Sequence, residues 1–439
     1  MLFVRSRIQR FGLAVFLLLG SLHCTGHPAV PRTVVLISVD TLRADHVGLY
    51  GYGRDTTPNI DRFFGPGTVF ENAISSAPCT VPAVLQFLWS AYLVQSAPSP
   101  LAKILADAGY TTAAMVSQHN FIGQRLPLYR WGFHRFDIQL ANEVDHHGLT
   151  RRRAQEVSDR AIAWLHKTAA DERRFLWLHY FDPHDPYDPP PGFRGFDAGN
   201  RSLRTGDRRS ALKKERRSQR EDWNQAGYIF SPEDVAHLVN LYDGEIQYTD
   251  FQIGRVLDVL EEQGRLDRSI VVLISDHGEW LGEGDRWDHC ATLREEEIRV
   301  PFAILVDGGR IGRGAREVAP VSTLDVLPTV LGLLGVDYPA ALYDGKDLRR
   351  NPRDRSVFAM WRTEQVVRRG DWKLFYDKEP VALYRISEDR HERTNLLADR
   401  PAIRDELAAE VRARSDLTAR VGELHEDTVD RLKQLGYIE

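Results

Sequence analysis

A chain of 439 residues, 43% of them hydrophobic and 27% charged, is long enough for a large core and has the composition of an ordinary soluble globular protein. Its formal net charge of −5 names no partner and excludes a strongly basic surface, so no nucleic-acid partner is expected. Cys24, Cys79 and Cys290 are too few and too scattered for a disulfide framework or a cysteine-based zinc site. Cys79 and Cys290 could pair with each other, but two isolated small apolar side chains is the preferred reading.

The chain begins with Arg5, Arg7 and Arg10 ahead of an apolar run from Phe11 to Leu19, followed by small and polar residues. This is the layout of a secretory signal, and the run is short for a membrane span. Residues 1–27 are therefore expected to be a signal peptide or a membrane or lipid anchor. Cys24 suits lipid attachment, although His23 is a poor residue just before such a cleavage point. The expected location is exported: periplasmic, cell-envelope or secreted, with membrane attachment through the N-terminus as the alternative.

Thr33–Ser38 (TVVLIS) is a continuous apolar run of the kind that forms a strand buried on both faces, and it leads into Val39, Asp40 and Thr41. Pro58 sits near the start of a helix with Ile60, Phe63 and Phe64 on one face. Val69–Ile74 predicts a short strand. In Ala77–Leu88, Pro82 suits the first turn of a helix whose apolar positions are Val84, Leu85 and Leu88. Thr80 lies just ahead of that helix, near its positive end, where it either caps the helix or serves as a hydroxyl nucleophile toward an anion. Leu101–Ala108 predicts a helix and Thr111–Val116 a strand. Residues 151–166 predict a charged helix with Ala161, Ile162 and Leu165 inward. Phe175–Tyr180 (FLWLHY) is a further buried strand ending in Phe181-Asp182-Pro183-His184-Asp185, which gives His184 a functional reading.

Arg201–Asp222 is polar and rich in basic residues, the texture of a solvated insertion or lid. Ser231-Pro232-Glu233-Asp234 carries a cap and a first-turn proline, opening a helix that continues to Gly264. Ile270–Ile274 is a second buried run ending in acid and imidazole, Asp276 and His277. Trp287-Asp288-His289, a strand at Val300–Val306 and an apolar helix at Thr323–Leu334 follow. From Ser356 the texture changes to short strand-like runs (Ser356–Met360, Gln365–Arg368, Trp372–Phe375, Ala382–Arg385). A charged helix, Pro401–Ala419, then carries an Ile403, Leu407 and Val411 stripe. Alternating strands and helices predict an α/β fold with a large mixed, mostly parallel β-sheet sandwiched by helices. The closing segment predicts a small C-terminal α+β subdomain. The expected division is 30–355 and 356–439. Acidic residues following two buried strands place one ligand site at the carboxyl edge of the sheet.

Together these stretches resemble the sulfatase branch of the alkaline-phosphatase superfamily over nearly the whole mature chain. The carriers are SVDTLRADHVGLYGYGRDTTPNIDRF at 38–63, HYFDPHDPY at 179–187 and YTDFQIGRVLDVLEEQG at 248–264. SDHGEWLGE at 275–283, RVPFAI at 299–304, STLDVLPTVLGLLGV at 322–336 and GDWKLFYD at 370–377 continue them. The resemblance reaches LYRISEDRHERTNLLADRP at 383–401 and the ending LKQLGYIE. It implies an alkaline-phosphatase-like sheet, a metal at its carboxyl edge and a nucleophile attacking sulfur or phosphorus. Asp40, Asp276 and His277 fall on metal-ligand positions, Thr80 on the nucleophile position, and His184 and His289 on positions that contact the substrate anion or protonate the leaving group. An additional metal using Asp182, His184 and His289 is a weaker implication.

The chain departs from the sulfatase pattern in several places. Thr80 replaces the Cys or Ser that is oxidised to formylglycine, Ala83 replaces Ser and Val84 replaces Arg. Thr41 and His277 stand where many sulfatases have Asp and Asn, and Cys290 stands near the place of a substrate-contacting lysine. Oxidising threonine would give a ketone rather than an aldehyde, which removes the formylglycine route. The expectation is a metal-dependent hydrolase or transferase of sulfate or phosphate esters, with Thr80 as nucleophile and also ligand to the ion, and with phosphoryl chemistry slightly favoured. A formylglycine-independent sulfuric ester hydrolase is one alternative; a catalytically inactive sulfatase-fold binding protein is an alternative of another class. Zinc or manganese suits the mixed carboxylate and imidazole donors better than calcium or magnesium. The expected partner is an anionic ester: a sulfated or phosphorylated small molecule, glycan or lipid headgroup.

Overall fold

A computed structural model describes residues 31–94, 97–117, 131–138, 152–169, 171–196, 231–306, 311, 315–350 and 354–421. Segment 1–27, Arg201–Asp222 and the closing LKQLGYIE lie outside the described residues. No helix among the described residues is long and apolar enough to cross a membrane.

The central sheet has eight strands in the spatial order Ala315–Glu317, Thr68–Phe70, Phe302–Val306, Ser269–Ser275, Thr33–Val39, Arg174–Tyr180, Thr111–Val116 and Arg135–Asp137. Only Phe302–Val306 runs against its neighbours; every other pairing is parallel. The side chains of Thr33–Val39 alternate between two cores. Val34 and Leu36 join the side covered by helices Thr80–Trp89, Leu101–Asp107 and Val326–Leu334. Val35 and Ile37 join the side covered by Pro58–Phe64, Ala154–Lys167 and Pro232–Glu262. A strand with apolar residues on both faces needs helices on both faces, which is why the periodicity of the sequence already specifies this layered form.

Three elements differ in detail from expectation. The run 69–74 divides into Thr68–Phe70 and Ala73–Ile74, which pair in different sheets. The strand at 300–306 breaks at Pro301, which has no N–H to offer a ladder. The helix expected from Pro82 already begins at Thr80.

Four antiparallel strands, Ser356–Trp361, Glu364–Arg369, Trp372–Asp377 and Glu379–Arg385, form the C-terminal sheet. Val357, Val366, Phe375 and Tyr384 on one face pack with Ile74, Leu293 and Ile298 of the larger unit. Val367, Leu374 and Leu383 on the other pack with Leu407 and Val411 of helix Pro401–Val421.

Candidate active site

Strands Ser269–Ser275, Thr33–Val39 and Arg174–Tyr180 end side by side, with Val39 in register with both Ser275 and Tyr180. The residues that follow must leave the sheet at one edge. Asp40 N–H still donates to Tyr180 O at 2.9 Å, and Ser275 Oγ lies 2.7 Å from Val39 O and 2.6 Å from His277 O, tying the two loops together. Thr41 turns the chain at φ 55 and directs its N–H to Asp276 Oδ1 at 3.3 Å.

Here the structure brings together four residues singled out in the sequence. One donor atom each from Asp40, Asp276 and His277 lies within 4.8 Å of the others, and all three side chains are buried. His277 Nδ1–H donates to Gly278 O at 2.8 Å, which leaves the Nε2 lone pair facing the cluster. That Nε2 is 3.6 Å from Asp40 Oδ1, 3.7 Å from Asp276 Oδ2 and 3.0 Å from Thr80 Oγ1. Thr80 Oγ1 is 3.5 Å from Asp40 Oδ1. Helix Thr80–Trp89 is capped by Cys79 without a side-chain bond, so Thr80 is its first residue rather than its cap, and its hydroxyl faces the acids.

The electrostatics are those of two crowded carboxyls and an imidazole out of reach of water. Burial, then the neighbouring Asp276, holds the Asp40 carboxyl well above its ordinary range. Burial likewise raises Asp276. His277 is pushed down to about 4 by burial, against the pull of Asp276. Asp276 Oδ2 is buried with no hydrogen-bond partner among the described residues. Two carboxylates, an imidazole lone pair and a hydroxyl converging in this way fit the donor set of a divalent ion.

A second group of side chains borders the first. The His289 ring lies 4.7 Å from that of His277 and 4.8 Å from that of His184, and His184 stacks on Phe181 at 4.3 Å. Burial opposes charge on His289, but Glu279, Asp288 and Asp40 outweigh it and raise the imidazole to about 10. His289 Nδ1 is 3.1 Å from Asp288 Oδ1 and 3.8 Å from Glu279 Oε2, and the other oxygen of Glu279 accepts from the Tyr187 hydroxyl at 2.6 Å. His184 goes the other way, lowered to about 3 by burial and by His289. The three histidines and the acids form one continuous site. Asp182 stands apart from the His184–His289 pair: it accepts from Ala154 N–H at 2.8 Å and lies 3.3 Å from Arg153. The described residues hold one acid–histidine cluster suited to a metal, the Asp40 set, and the additional ion suggested on Asp182, His184 and His289 is not among them.

Several neighbours were not singled out in the sequence. Glu279 follows His277 by two residues, a spacing that could have drawn attention to it. His179 is buried in strand Arg174–Tyr180, with Nδ1 2.8 Å from Ser38 Oγ and Nε2 4.0 Å from Asp40 Oδ2. Its imidazole is lowered to about 3 by burial. Nothing in its apolar strand pattern distinguishes it.

The cysteine reading is corrected: Cys79 and Cys290 form a disulfide, with Cα atoms 4.8 Å apart and a sequence separation of 211. Spacing alone could not show this, because only the fold brings the start of helix Thr80–Trp89 beside the His289 loop. Within helix Thr80–Trp89, residues on the core side take structural roles. Val84 and Phe87 are fully buried, and Phe87 packs edge-on against Trp177 in the core rather than over the acids. Ser90 takes the left-handed helix-ending position, φ 53, where glycine is common.

Comparison with known proteins agrees with this fold. The family model described as Sulfatase matches residues 32–336. An arylsulfatase of Clostridium perfringens (strain 13 / Type A) is 24% identical, over 83% of this chain and 90% of its own. The multifunctional alkaline phosphatase superfamily protein PehA of Trinickia caryophylli is 26% identical, over 82% of this chain and 84% of its own. Among solved structures, the phosphonate monoester hydrolase of Agrobacterium radiobacter has the same fold, with a TM-score of 0.64 at 18% identity, covering 90% of this chain and 96% of that one.

Proposed function

The chain belongs to the sulfatase family and is an ester hydrolase of that superfamily, and on that premise we propose that it cleaves or transfers phosphoryl esters through Thr80, with Asp40, Asp276, His277 and Thr80 holding a divalent ion. The observation that carries this reading is the position of Thr80 Oγ1, 3.0 Å from His277 Nε2 and 3.5 Å from Asp40 Oδ1, at the start of a helix. Zinc or manganese suits these donors, and the bound ion would supply Lewis-acid polarisation of the ester and acidification of the hydroxyl.

The protein's own residues divide the remaining work. Thr80 Oγ1 attacks the central atom as its proton passes to the Asp40 carboxylate, 3.5 Å away; the new bond is Thr80 O–P and the broken one is the ester P–O, and Asp40 returns the proton to Thr80 when water releases it. His289, kept charged by Glu279 and Asp288 facing its Nδ1, offers its other nitrogen to the departing alkoxide. His289, neutral once it has protonated the alkoxide, takes the proton of the water that releases Thr80 in the second half, with the neutral His184 ring 4.8 Å away. With Val84 in place of arginine, the imidazolium of His289 becomes the cation that meets the substrate anion.

The relatives' names leave room for a second reading, formylglycine-independent hydrolysis of a sulfuric ester. Phosphoryl chemistry is favoured because a hydroxyl with two acids and a histidine is the nucleophile set present here, and a ketone derived from threonine could not do aldehyde-hydrate chemistry. Export, with the N-terminus as signal or anchor, is supported by the disulfide, which forms in oxidising compartments. The test is turnover of an aryl phosphate, a bis-aryl phosphate and an aryl sulfate by metal-loaded protein. Preference for either phosphate, abolished in Thr80→Ala, is expected. Preference for the sulfate replaces this reading with the second, and turnover retained in Thr80→Ala removes the nucleophile assignment. Absence of turnover together with absence of bound metal would leave a binding protein.

A further inference from the structure

We infer that the Cys79–Cys290 disulfide is a positioning element of the active site, clamping the residue before Thr80 to the residue after His289. The inference rests on the ester-hydrolase reading above and deepens it. Cys79 is the cap of helix Thr80–Trp89, so its backbone fixes where the first helical hydroxyl points. Cys290 follows His289 directly, and its N–H donates to Pro78 O at 3.0 Å, a second tie between the same two segments.

The His289 loop leaves the short strand pair Trp280–Leu281 and Trp287–Asp288 in a strained conformation. Asp288 and Cys290 flank the histidine at φ 78 and φ 63, left-handed conformations that side-chain-bearing residues avoid. Beyond them, the chain is next anchored where Ala291 and Thr292 donate to Glu297 at 3.0 and 3.1 Å. The metal-ligand candidates are held differently. Asp40, Asp276 and His277 emerge from parallel strands in continuous register and depend on the ladder. Loss of the disulfide should therefore separate Thr80 from His289 while Asp40, Asp276 and His277, the charged and imidazole donors that dominate cation affinity, keep their places. Both cysteines are partly exposed, so a reductant can reach the bond.

The rival account is a staple that only stabilises the fold by closing a long loop. The experiment uses full-length protein, purified oxidised and loaded with Mn2+. It is compared with the same protein reduced by tris(2-carboxyethyl)phosphine and with Cys79→Ser, Cys290→Ser and the double variant. Reduction balances as one phosphine and one water giving the phosphine oxide and two thiols. Peptide mapping of the oxidised protein should show the linked pair. Reduction should lower kcat on the preferred aryl ester by about 10- to 100-fold, with KM changed by less than about threefold, as expected for a small misplacement of reacting groups. Orthovanadate affinity should weaken by about tenfold and Mn2+ affinity stay within about twofold. Each single variant should lose as much as the double, be indifferent to reductant, and match the reduced wild type; reoxidation should restore only the wild type.

Free thiols in the oxidised protein overturn the inference. So does reduced, folded protein that keeps its kcat and vanadate affinity and loses only melting temperature, the outcome a staple predicts. Oxidised protein that neither turns over any of the esters nor binds vanadate instead overturns the ester-hydrolase reading, and this inference with it.

Discussion

Lys373, where the C-terminal sheet meets the larger unit, reaches Glu295 and Glu392 at 2.8 Å each, and Arg368 stands 3.6 Å from Glu295. At the carboxyl edge of the central sheet, Asp276 also sits fully buried, but its Oδ1 accepts from the amides of Thr41 and His277 and its Oδ2 finds no hydrogen-bond partner among the described residues. Both places bury carboxylates at a desolvation cost of several kcal/mol per ion. In the first the protein supplies the compensating cations from its own side chains, and the result is a joint between two units. In the second it supplies amides, a hydroxyl, an imidazole that burial keeps neutral and, at the border, the single charged ring of His289. The first cluster is balanced within itself; the second keeps its carboxyls raised by burial, as the proposed metal site would require.

The sharpest way to break this comparison is at Thr80, whose removal should abolish chemistry and leave the fold intact. Thr80→Ala is expected to lower kcat/KM by at least about 10³-fold, ~4 kcal/mol of barrier, with an unchanged circular dichroism spectrum. Lys373→Met should do the reverse in kind. It strands Glu295 and Glu392 in the interior, and denaturant unfolding should register a loss of about 3–5 kcal/mol, while the active-site groups keep their positions. Metal addition sharpens the contrast from the other side. At about a hundredfold excess over its Kd, Zn2+ or Mn2+ should stabilise the wild type by ~2.7 kcal/mol in thermal melts, reversed by chelator, and should have no such effect on Asp276→Asn.

The pH dependence of the joint is a smaller effect with a definite sign. Burial works against ionised Glu295, but Lys373 and Arg368 outweigh it and hold the carboxyl down to about 2. A carboxyl depressed on folding contributes stability above its unfolded value, ~4.5, and loses it as pH falls toward 2. Wild type should therefore exceed Glu295→Gln in stability by about 2 kcal/mol near neutrality, with the gap closing between about pH 4.5 and 2. The smallest effect is expected at Asp276→Asn in metal-free protein. Removing a carboxyl already raised by burial should shift the unfolding midpoint by no more than ~1 kcal/mol, and in the stabilising direction. Strong destabilisation there would place Asp276 with Glu295, as architecture.

Much of this molecule was legible in local pattern. Runs such as Thr33–Ser38 and Ile270–Ile274 are apolar at every position, which only a strand covered on both faces satisfies, and the polar residue ending each run had to fall at the sheet edge. Pro58, Pro82 and the Ser231-Pro232 pair marked helix starts to within about two residues, because proline is tolerated only in the first turn. The Glu279 contact to His289, the place of His179 beside Asp40 and the pairing of Cys79 with Cys290 were not legible. Each depends on which loops meet at the edge, and no local preference encodes that.

Residue order by itself determined the chemistry available: two acids and a histidine directly after buried strands, and a threonine at a helix start that cannot become an aldehyde. The tertiary structure alone decided that these groups share one buried volume, that His289 lies with Asp288 and Glu279 beside one ring nitrogen, and that a disulfide joins the start of helix Thr80–Trp89 to the His289 loop. The reason is physical. Side-chain periodicity is a property of neighbouring residues, whereas charge balance and covalent pairing are properties of groups that the chain brings together across about two hundred residues, and their energies exist only once it has done so.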